Sequence, residues 1–400
     1  MIINKDQFKS YSIHISVGHL FLKEVDVFSV LLNQYLHTTH PMYPSRKSFN
    51  QALEEMYGLK ISMYSNIEGN YIVTQIICKF IQPSLVSSTS LLRDVLTFIT
   101  HMIFHAKLDD TNHFQEEKTR LIQHYESIRD DKQTYIDYVY EETLLQHVLD
   151  MYTFDEKVDL IKHTSLSDIQ RYYEQYFKQA NIVMFASGNF TEEDITVMKH
   201  VLEPYEQGQI YPQFKGYRLH EKKEITLNMP VIQAIMHLGY HTDIMYHHPN
   251  KTAFQIFNEL LGGHADSRLF KEIREKRGLC YSIYSYINLH LGTLTISTGV
   301  DISRLEETKI AIQETIDTLM SLDVTEEELE QTKAYMIHQI LSSLDRQSTY
   351  IQRAYKSHLY QEEYDLEKRI EAIHKVTKSD LKNVAGTLKH IIIHQVIGED

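Results

Sequence analysis

Two side chains that could bind a peptide lie seven residues apart in the stretch from Leu260 to Tyr286. Arg274 is near the end of a predicted helix, and Tyr281 is at the start of a predicted strand. A guanidinium can donate two parallel hydrogen bonds to a carboxylate or reach a backbone carbonyl. A phenol at the turn can donate to the same carbonyl as charge develops on it. On spacing alone, the more ordinary interpretation of Arg274 is a surface charge paired with Asp266 or with a neighbour of Glu275, and that of Tyr281 is a packed strand aromatic.

A helix, a glycine and a strand are predicted to position this pair. Leu269 and Ile273, with Ala265 one turn earlier, form an apolar helical stripe. Gly278 suits the left-handed residue that often ends a helix. The alternation that follows is typical of a strand and comprises Leu279, Tyr281, Ile283 and Ser285.

The residues around the pair also form a longer pattern. It consists of SRLF (267–270), IRE (273–275) and GLCY (278–281), and it resembles the second-half signature of pitrilysin/insulinase-like zinc peptidases. In that family, one half of the molecule carries the zinc motif HxxEH, and the second half contributes an Arg and a Tyr that hold the substrate peptide. The resemblance implies this substrate-binding role for Arg274 and Tyr281.

The same resemblance places the family's zinc motif on a stretch that no longer contains it. Tyr43-Pro44 matches the end of the family's first-half pattern, and counting back puts HxxEH on residues 30–34, VLLNQ. Val30 and Gln34 then replace the two zinc-binding histidines, and Asn33 replaces the glutamate that acts as the base. Valine cannot bind zinc, and asparagine cannot accept the proton of a water molecule.

The third zinc ligand of the family is also replaced. It is a glutamate that follows another glutamate by seven residues. Glu117 matches the earlier glutamate, but position 124 is His124. The resemblance therefore implies a degenerate metal site at Val30, Asn33, Gln34 and His124, with no bound metal, no cofactor and no autonomous zinc-peptidase activity.

Histidines leave a weaker metal hypothesis open. His37 and His40 have helical i, i+3 spacing, but Pro41 follows directly, which favours solvated loop histidines. An enzyme whose metal site is built from His37, His40 or His124, outside the family pattern, remains a third class of function. The chain contains no GxSxG, GxxxxGK[ST] or GxGxxG pattern, so serine-hydrolase and nucleotide-dependent chemistry have no support.

Composition indicates an ordinary globular protein. A formal net charge of −14 argues against nucleic-acid binding and against attachment to an anionic membrane surface. Cys78 and Cys280 lie in apolar strand-like surroundings and are interpreted as small buried hydrophobes, which fits a reducing compartment. The first residues lack a signal-peptide pattern, and no apolar run reaches about 18 residues, so we expect a cytoplasmic protein.

The chain contains a diverged internal duplication that is visible without any family comparison. Four anchors recur in the same order at similar offsets: Gly58 and Gly278, Tyr135 and Tyr350, Ser167 and Ser379, and Gly188 and Gly398. This repeat predicts two homologous domains, residues 1–202 and 222–400, joined by a Pro- and Gly-containing linker at 203–221. In each half, predicted strands precede long helices and a short apolar strand closes the half, which predicts an α+β fold with largely antiparallel sheets.

These observations lead to two hypotheses about function. In the first, the chain is an incomplete subunit that supplies Arg274 and Tyr281 to a zinc-bearing HxxEH paralogue, as a heterodimer that processes peptides; a homodimer is the alternative assembly. In the second, the chain is a non-catalytic scaffold or binding protein. Within the family it resembles most closely a subgroup of non-peptidase homologues named for an association with modification of elongation factor P.

Overall fold

The computed structural model describes residues 1–86, 88–216, 223–321 and 324–398. These residues form two compact units. Unit 1 comprises residues 1–127, 151–213 and 343–364, and unit 2 comprises residues 128–150, 214–342 and 365–400, of which the described residues are treated below. The predicted domain boundaries at 202 and 222 divide the chain by its sequence repeat, and they remain a prediction. Residues 217–221 of the predicted linker lie outside the described residues.

The first half of the chain contains five strands and eight α-helices in the described residues. In chain order they are β1 (Ile2–Asn4), β2 (Ser10–Leu20), α1 (Lys23–Leu36), α2 (Arg46–Glu55), β3 (Lys60–Glu68), β4 (Tyr71–Ile81), α3 (Leu91–Phe104), α4 (Thr111–Asp130), α5 (Lys132–Leu145), α6 (Phe154–His163), α7 (Leu166–Tyr172), β5 (Asn181–Gly188) and α8 (Glu192–Leu202).

The second half repeats this order with small changes. Its elements are β6 (Lys223–Asn228), β7 (Ala234–His241), α9 (Lys251–Asn258), β8 (Cys280–Asn288), β9 (Thr293–Val300), α10 (Leu305–Met320), α11 (Glu326–Ser342), α12 (Gln347–Tyr360), α13 (Leu366–Lys375), α14 (Lys378–Thr387) and β10 (Lys389–Ile397). Two π-helical segments follow α9, at Glu259–Gly263 and Phe270–Lys276.

The two sheets have the same topology, which is the structural counterpart of the sequence repeat. Sheet 1 has the order β1-β5-β2-β4-β3, and sheet 2 has the equivalent order β6-β10-β7-β9-β8. Only the pairs β1–β5 and β6–β10 are parallel, and the other pairs are antiparallel. The predicted α+β class with largely antiparallel sheets is confirmed.

One helix from each half of the sequence belongs to the compact unit of the other half. Helix α12 packs on sheet 1, where the Gln347 amide donates to the backbone carbonyls of Ser10 and Ser187, both at 2.7 Å. Helix α5 packs on sheet 2, where the Tyr140 hydroxyl lies 2.9 Å from that of Thr295. The compact units are therefore made from both repeats, although each sheet comes from a single repeat.

Strand β2 shows how the sequence builds a sheet with two different faces. Its apolar side chains are fully buried and alternate with polar ones, because successive residues of a strand point to opposite faces. The apolar set is Tyr11, Ile13, Ile15 and Val17, and the polar set is Ser10, Ser12, His14 and Ser16. The polar set faces α12. None of the helices in the described part of the chain is both long and apolar enough to cross a membrane.

Candidate functional site

The segment that carries Arg274 is a helix of residues 268–276, most of it in π-helical geometry. Leu269 and Ile273 are fully buried and anchor it to the core of unit 2, as their spacing predicted. Ala265 does not continue the stripe: it is exposed in the turn before the helix, which starts three residues later. Gly278 has φ = +57°, so it adopts the predicted left-handed conformation after the helix.

Arg274 differs from the other basic residues around this helix. Each of the others has a carboxylate oxygen within 3.7 Å: Arg268 pairs with Glu328, Lys271 with Asp266, Lys276 with Glu272 and Arg277 with Glu314. Within the described residues, Arg274 makes no ion pair; its guanidinium lies over the Phe270 ring, 4.5 Å from the centroid. An exposed guanidinium held on an aromatic face keeps its hydrogen-bond donors available.

Tyr281 is turned outward by a β-bulge. Cys280 pairs with Val300 and Ser282 pairs with Gly299, which leaves Tyr281 as the extra residue on β8. Simple alternation would place Tyr281 on the same face as buried Ile283, but the bulge leaves its side chain 72% exposed. Bulges commonly re-aim side chains in this way. The interpretation of Tyr281 as a packed strand aromatic is therefore wrong.

Arg274 and Tyr281 lie at the same end of β8. Cys280 precedes Tyr281, and its thiol is close enough to Arg274 for the positive charge to affect the pKa of the thiol. Burial raises the pKa of Cys280, while a hydrogen bond with Thr298 and the charge of Arg274 act in the opposite direction. The structure thus places both predicted substrate-binding side chains on one exposed region of unit 2.

The positions at which the resemblance places the zinc motif lie on α1 in unit 1. Asn33 is buried, and its amide donates a 2.8 Å hydrogen bond to the Ser65 hydroxyl on β3. The amide of Gln34 donates to Glu117 Oε2 at 2.9 Å. Val30, half-buried, offers only methyl groups. The amide nitrogens of Asn33 and Gln34 thus donate hydrogen bonds within the protein, whereas the buried Oδ1 of Asn33 has no hydrogen-bond partner among the described residues.

Glu117 is the centre of this region. Its side chain is 2% exposed, and its carboxylate contacts two guanidinium groups, Arg46 at 2.6 Å and Arg120 at 2.5 Å. His124 is exposed two helical turns further along α4, about 10 Å away by the rise of a helix. The described part of the chain contains no group of three or more His, Cys, Asp or Glu residues arranged to hold a metal ion.

The histidines of the third hypothesis are separately engaged. The His40 ring stacks on Phe98 at 4.3 Å, donates from Nε2 to the Phe98 carbonyl and accepts at Nδ1 from the Met42 amide. Both of its nitrogens are therefore used, and burial lowers its pKa to about 4. His37 Nε2 lies 3.0 Å from the Ile61 carbonyl. The structure does not bring His37, His40 and His124 together as a set of ligands.

A cleft of about 690 Å³ in unit 1 was not predicted from the sequence. It lies between the polar face of sheet 1 and α12. Burial raises the pKa of Glu68 in this cleft to about 7, against the opposing charge of Lys356. Burial also lowers the pKa of His14 to about 4. The polar set of β2, inside an otherwise apolar strand, was the sequence signal for this face.

Comparison with known proteins agrees with the architecture. Residues 163–336 match the family model described as the Peptidase M16 inactive domain. The chain is also 23% identical over 390 residues to the probable inactive metalloprotease YmfF of Bacillus subtilis, covering 95% of this chain and 91% of that protein. By these two comparisons, the chain is similar to inactive homologues of the pitrilysin/insulinase-like zinc peptidases.

Two further comparisons identify other proteins that are similar to this chain. An uncharacterized zinc protease of Bacillus subtilis, YmxG, is 29% identical over 274 residues, which cover 66% of this chain and 64% of that protein. The crystal structure of a conserved protein from Enterococcus faecalis V583 superimposes with a TM-score of 0.88 at 24% identity, over 100% of this chain and 96% of that one. The latter similarity shows that the fold is shared over the whole chain.

Proposed function

We propose that this inactive homologue is the substrate-binding subunit of a two-subunit peptidase. It supplies Arg274 and Tyr281, and a zinc-bearing HxxEH paralogue supplies the metal and the general base. The guanidinium binds a backbone carbonyl or carboxylate of the peptide. The phenol donates to the carbonyl oxygen that becomes negative when water attacks. The HxxEH residues of the partner would hold a zinc ion, which would supply the activation of that water.

The exposed Arg274–Tyr281 pair carries the proposal. A structural arginine at this position would be expected to pair with one of the many carboxylates nearby, as its four basic neighbours do. A structural tyrosine would be expected to pack against the sheet instead of standing on a bulge. Both side chains instead present their polar ends to solvent, where a peptide held by a second subunit can reach them.

The relatives support a division of labour between two chains. Bacillus subtilis contains both a probable inactive metalloprotease and a zinc protease that are similar to this chain. The descriptions of these two relatives correspond to the two kinds of chain that the proposal requires. The hydrogen bonds that the Asn33 and Gln34 amides donate, and the ion pair between Glu117 and Arg46, fit a first half that is stable without a metal.

The test is purification of the tagged chain from its native cells, followed by measurement of metal and of peptide hydrolysis. We expect an HxxEH-bearing partner to co-purify, with about one zinc per pair of chains and peptidase activity that neither chain has alone. Recovery of the chain by itself, or a complex whose activity equals that of the isolated partner, contradicts the proposal.

The second hypothesis, a scaffold or binding protein, predicts a different result from the same purification. A partner would be recovered, but its activity would not depend on Arg274 or Tyr281. The association with elongation factor P modification and the cytoplasmic location remain predictions. The first is tested by asking whether deletion of the gene changes the mass of elongation factor P.

A further inference from the structure

Two histidines on α3 have the geometry of a metal-binding pair. His101 and His105 are four residues apart at the C-terminal end of the helix, so their side chains lie on one helical face. Their ring centroids are 5.4 Å apart. Met102 and Ile103 between them are completely buried, which holds this turn of backbone in place. The spacing of the two rings is therefore set by a packed helix rather than by a loop.

Both rings are available to a ligand, and one is already oriented. His105 Nε2 lies 3.0 Å from the hydroxyl of Tyr205, whose ring stacks on Phe104 at 4.5 Å. The ring nitrogens of His101 make no hydrogen bond within the described residues. His40, whose ring centroid is 6.3 Å from that of His101, cannot join as a ligand, because both of its nitrogens are used.

We propose that His101 and His105 form a binding site for a divalent transition-metal ion, with Cu²⁺ bound more tightly than Zn²⁺. Neutral imidazole nitrogens are good ligands for both ions, and the preference follows the general order of divalent metals. Histidines at i and i+4 on one helix are a known arrangement for holding zinc. The carbonyl end of α3 also favours a cation. Water completes the coordination, and Tyr205 positions His105.

This site is separate from the degenerate zinc positions on α1 and does not depend on the proposed peptidase role. It has a practical consequence for that role: metal recovered with the isolated chain is expected to be bound by His101 and His105, and it is not evidence for a zinc-peptidase centre. Variants at these two positions distinguish the two sources of metal.

Titration of the metal-stripped full chain with CuSO₄, followed by calorimetry, tests the site. We expect one Cu²⁺ with a dissociation constant on the order of micromolar, and weaker binding of ZnSO₄. The His101→Gln and His105→Gln variants should each lose about a hundredfold in affinity, because each removes the chelate. The double variant should lose little more than either single one. His200→Gln, an exposed histidine on α8, is the control and should bind as wild type does.

Losses that are small and add in the double variant would overturn the proposal, because they indicate independent surface histidines. Unchanged binding in both single variants would also overturn it. If a substitution at α3 disturbs folding, electron paramagnetic resonance of the wild-type chain with one equivalent of Cu²⁺ shows how many imidazole nitrogens bind the ion. We expect coupling to two imidazole nitrogens, and coupling to one contradicts the chelate. Tyr205→Phe should weaken binding by up to about tenfold without changing the stoichiometry.

Discussion

The amide of Gln34 donates a 2.9 Å hydrogen bond to the buried carboxylate of Glu117. The resemblance places Gln34 where the family has a zinc-binding histidine, and it matches Glu117 to the glutamate that precedes the third zinc ligand by seven residues. The negative charge of Glu117 is balanced by Arg46 and Arg120, whose side chains are each at least 40% exposed. Two cations at the surface thus neutralise a carboxylate that lies below them.

We expect Glu117→Ala to lower the free energy of unfolding by about 2 kcal/mol, because it removes the acceptor of several charged and neutral donors in a buried place. The measurement is urea denaturation at pH 7. Glu116→Ala is the matched control: Glu116 precedes Glu117, contacts the same Arg120 at 3.7 Å, and is 65% exposed. It should change stability by less than about 0.5 kcal/mol. Equal effects of the two substitutions would contradict a structural role for Glu117.

We expect Arg274→Ala to lower kcat/KM of the proposed two-subunit complex about a hundredfold, because it removes the donor to a carbonyl or carboxylate of the peptide. Tyr281→Phe should lower it roughly tenfold, because it removes the donor to the reacting carbonyl. Complex formation and zinc content should not change. Hydrolysis of a fluorogenic peptide, with assembly checked by size-exclusion chromatography, provides the measurement.

The controls for this pair come from the same two elements. Arg277→Ala removes a basic side chain that is already paired with Glu314, and Tyr284→Phe alters another exposed tyrosine on β8. Both should leave turnover within about twofold of wild type, since exposed ion pairs contribute little. If Arg277→Ala reduces turnover as strongly as Arg274→Ala, the effect is general to the surface and the assigned role is wrong.

Stability should depend on pH through Glu68. Its pKa is raised to about 7 in the folded chain from an ordinary value of 4.5. The folded state therefore binds more protons between these values, and the free energy of unfolding falls as pH rises from about 4.5 to about 7. The loss is at most about 3 kcal/mol.

The Glu68→Gln substitution separates the contribution of Glu68 to the pH dependence of stability from the contributions of other groups. The difference in stability between wild type and Glu68→Gln should change steadily over this pH range and become constant above it. Buried histidines such as His14 and His40 act in the opposite direction, but they are present in both proteins. Glu193→Gln, at an exposed position on α8, is the control. A difference that does not vary with pH contradicts the raised pKa of Glu68.

Two glycines should respond to alanine with opposite signs. Gly278 has φ = +57° and an open space where a Cβ would lie, so Gly278→Ala introduces backbone strain alone and should cost about 1 kcal/mol. Gly386 lies in α14 with an equally open space and ordinary helical dihedrals, so Gly386→Ala should stabilise by about 0.5 to 1 kcal/mol. Thermal denaturation compares the two, and stabilisation by Gly278→Ala would contradict the left-handed conformation.

Much of the site could be predicted because the signals are local. Gly278 follows an apolar helical stripe and precedes an alternating strand, and a left-handed residue is needed at such a junction. The predicted loss of the zinc motif rests on side-chain identity at Val30, Asn33 and Gln34, which no packing arrangement can change. The duplication is visible in the order of its anchors. These features, together with the α+β class, follow from the residues themselves.

The outward position of Tyr281 could not be predicted, because it depends on how β8 pairs with β9. Regular pairing would bury the side chain beside Ile283, and the bulge places it in solvent. The environment of Glu117 likewise depends on Arg46, which is 71 residues away in the chain. The local sequences of α5 and α12 specify that each segment is a helix, but they do not specify which of the two sheets it packs on. Their assignment to the sheet of the other repeat arises only when long-range contacts such as Gln347 to Ser10 form.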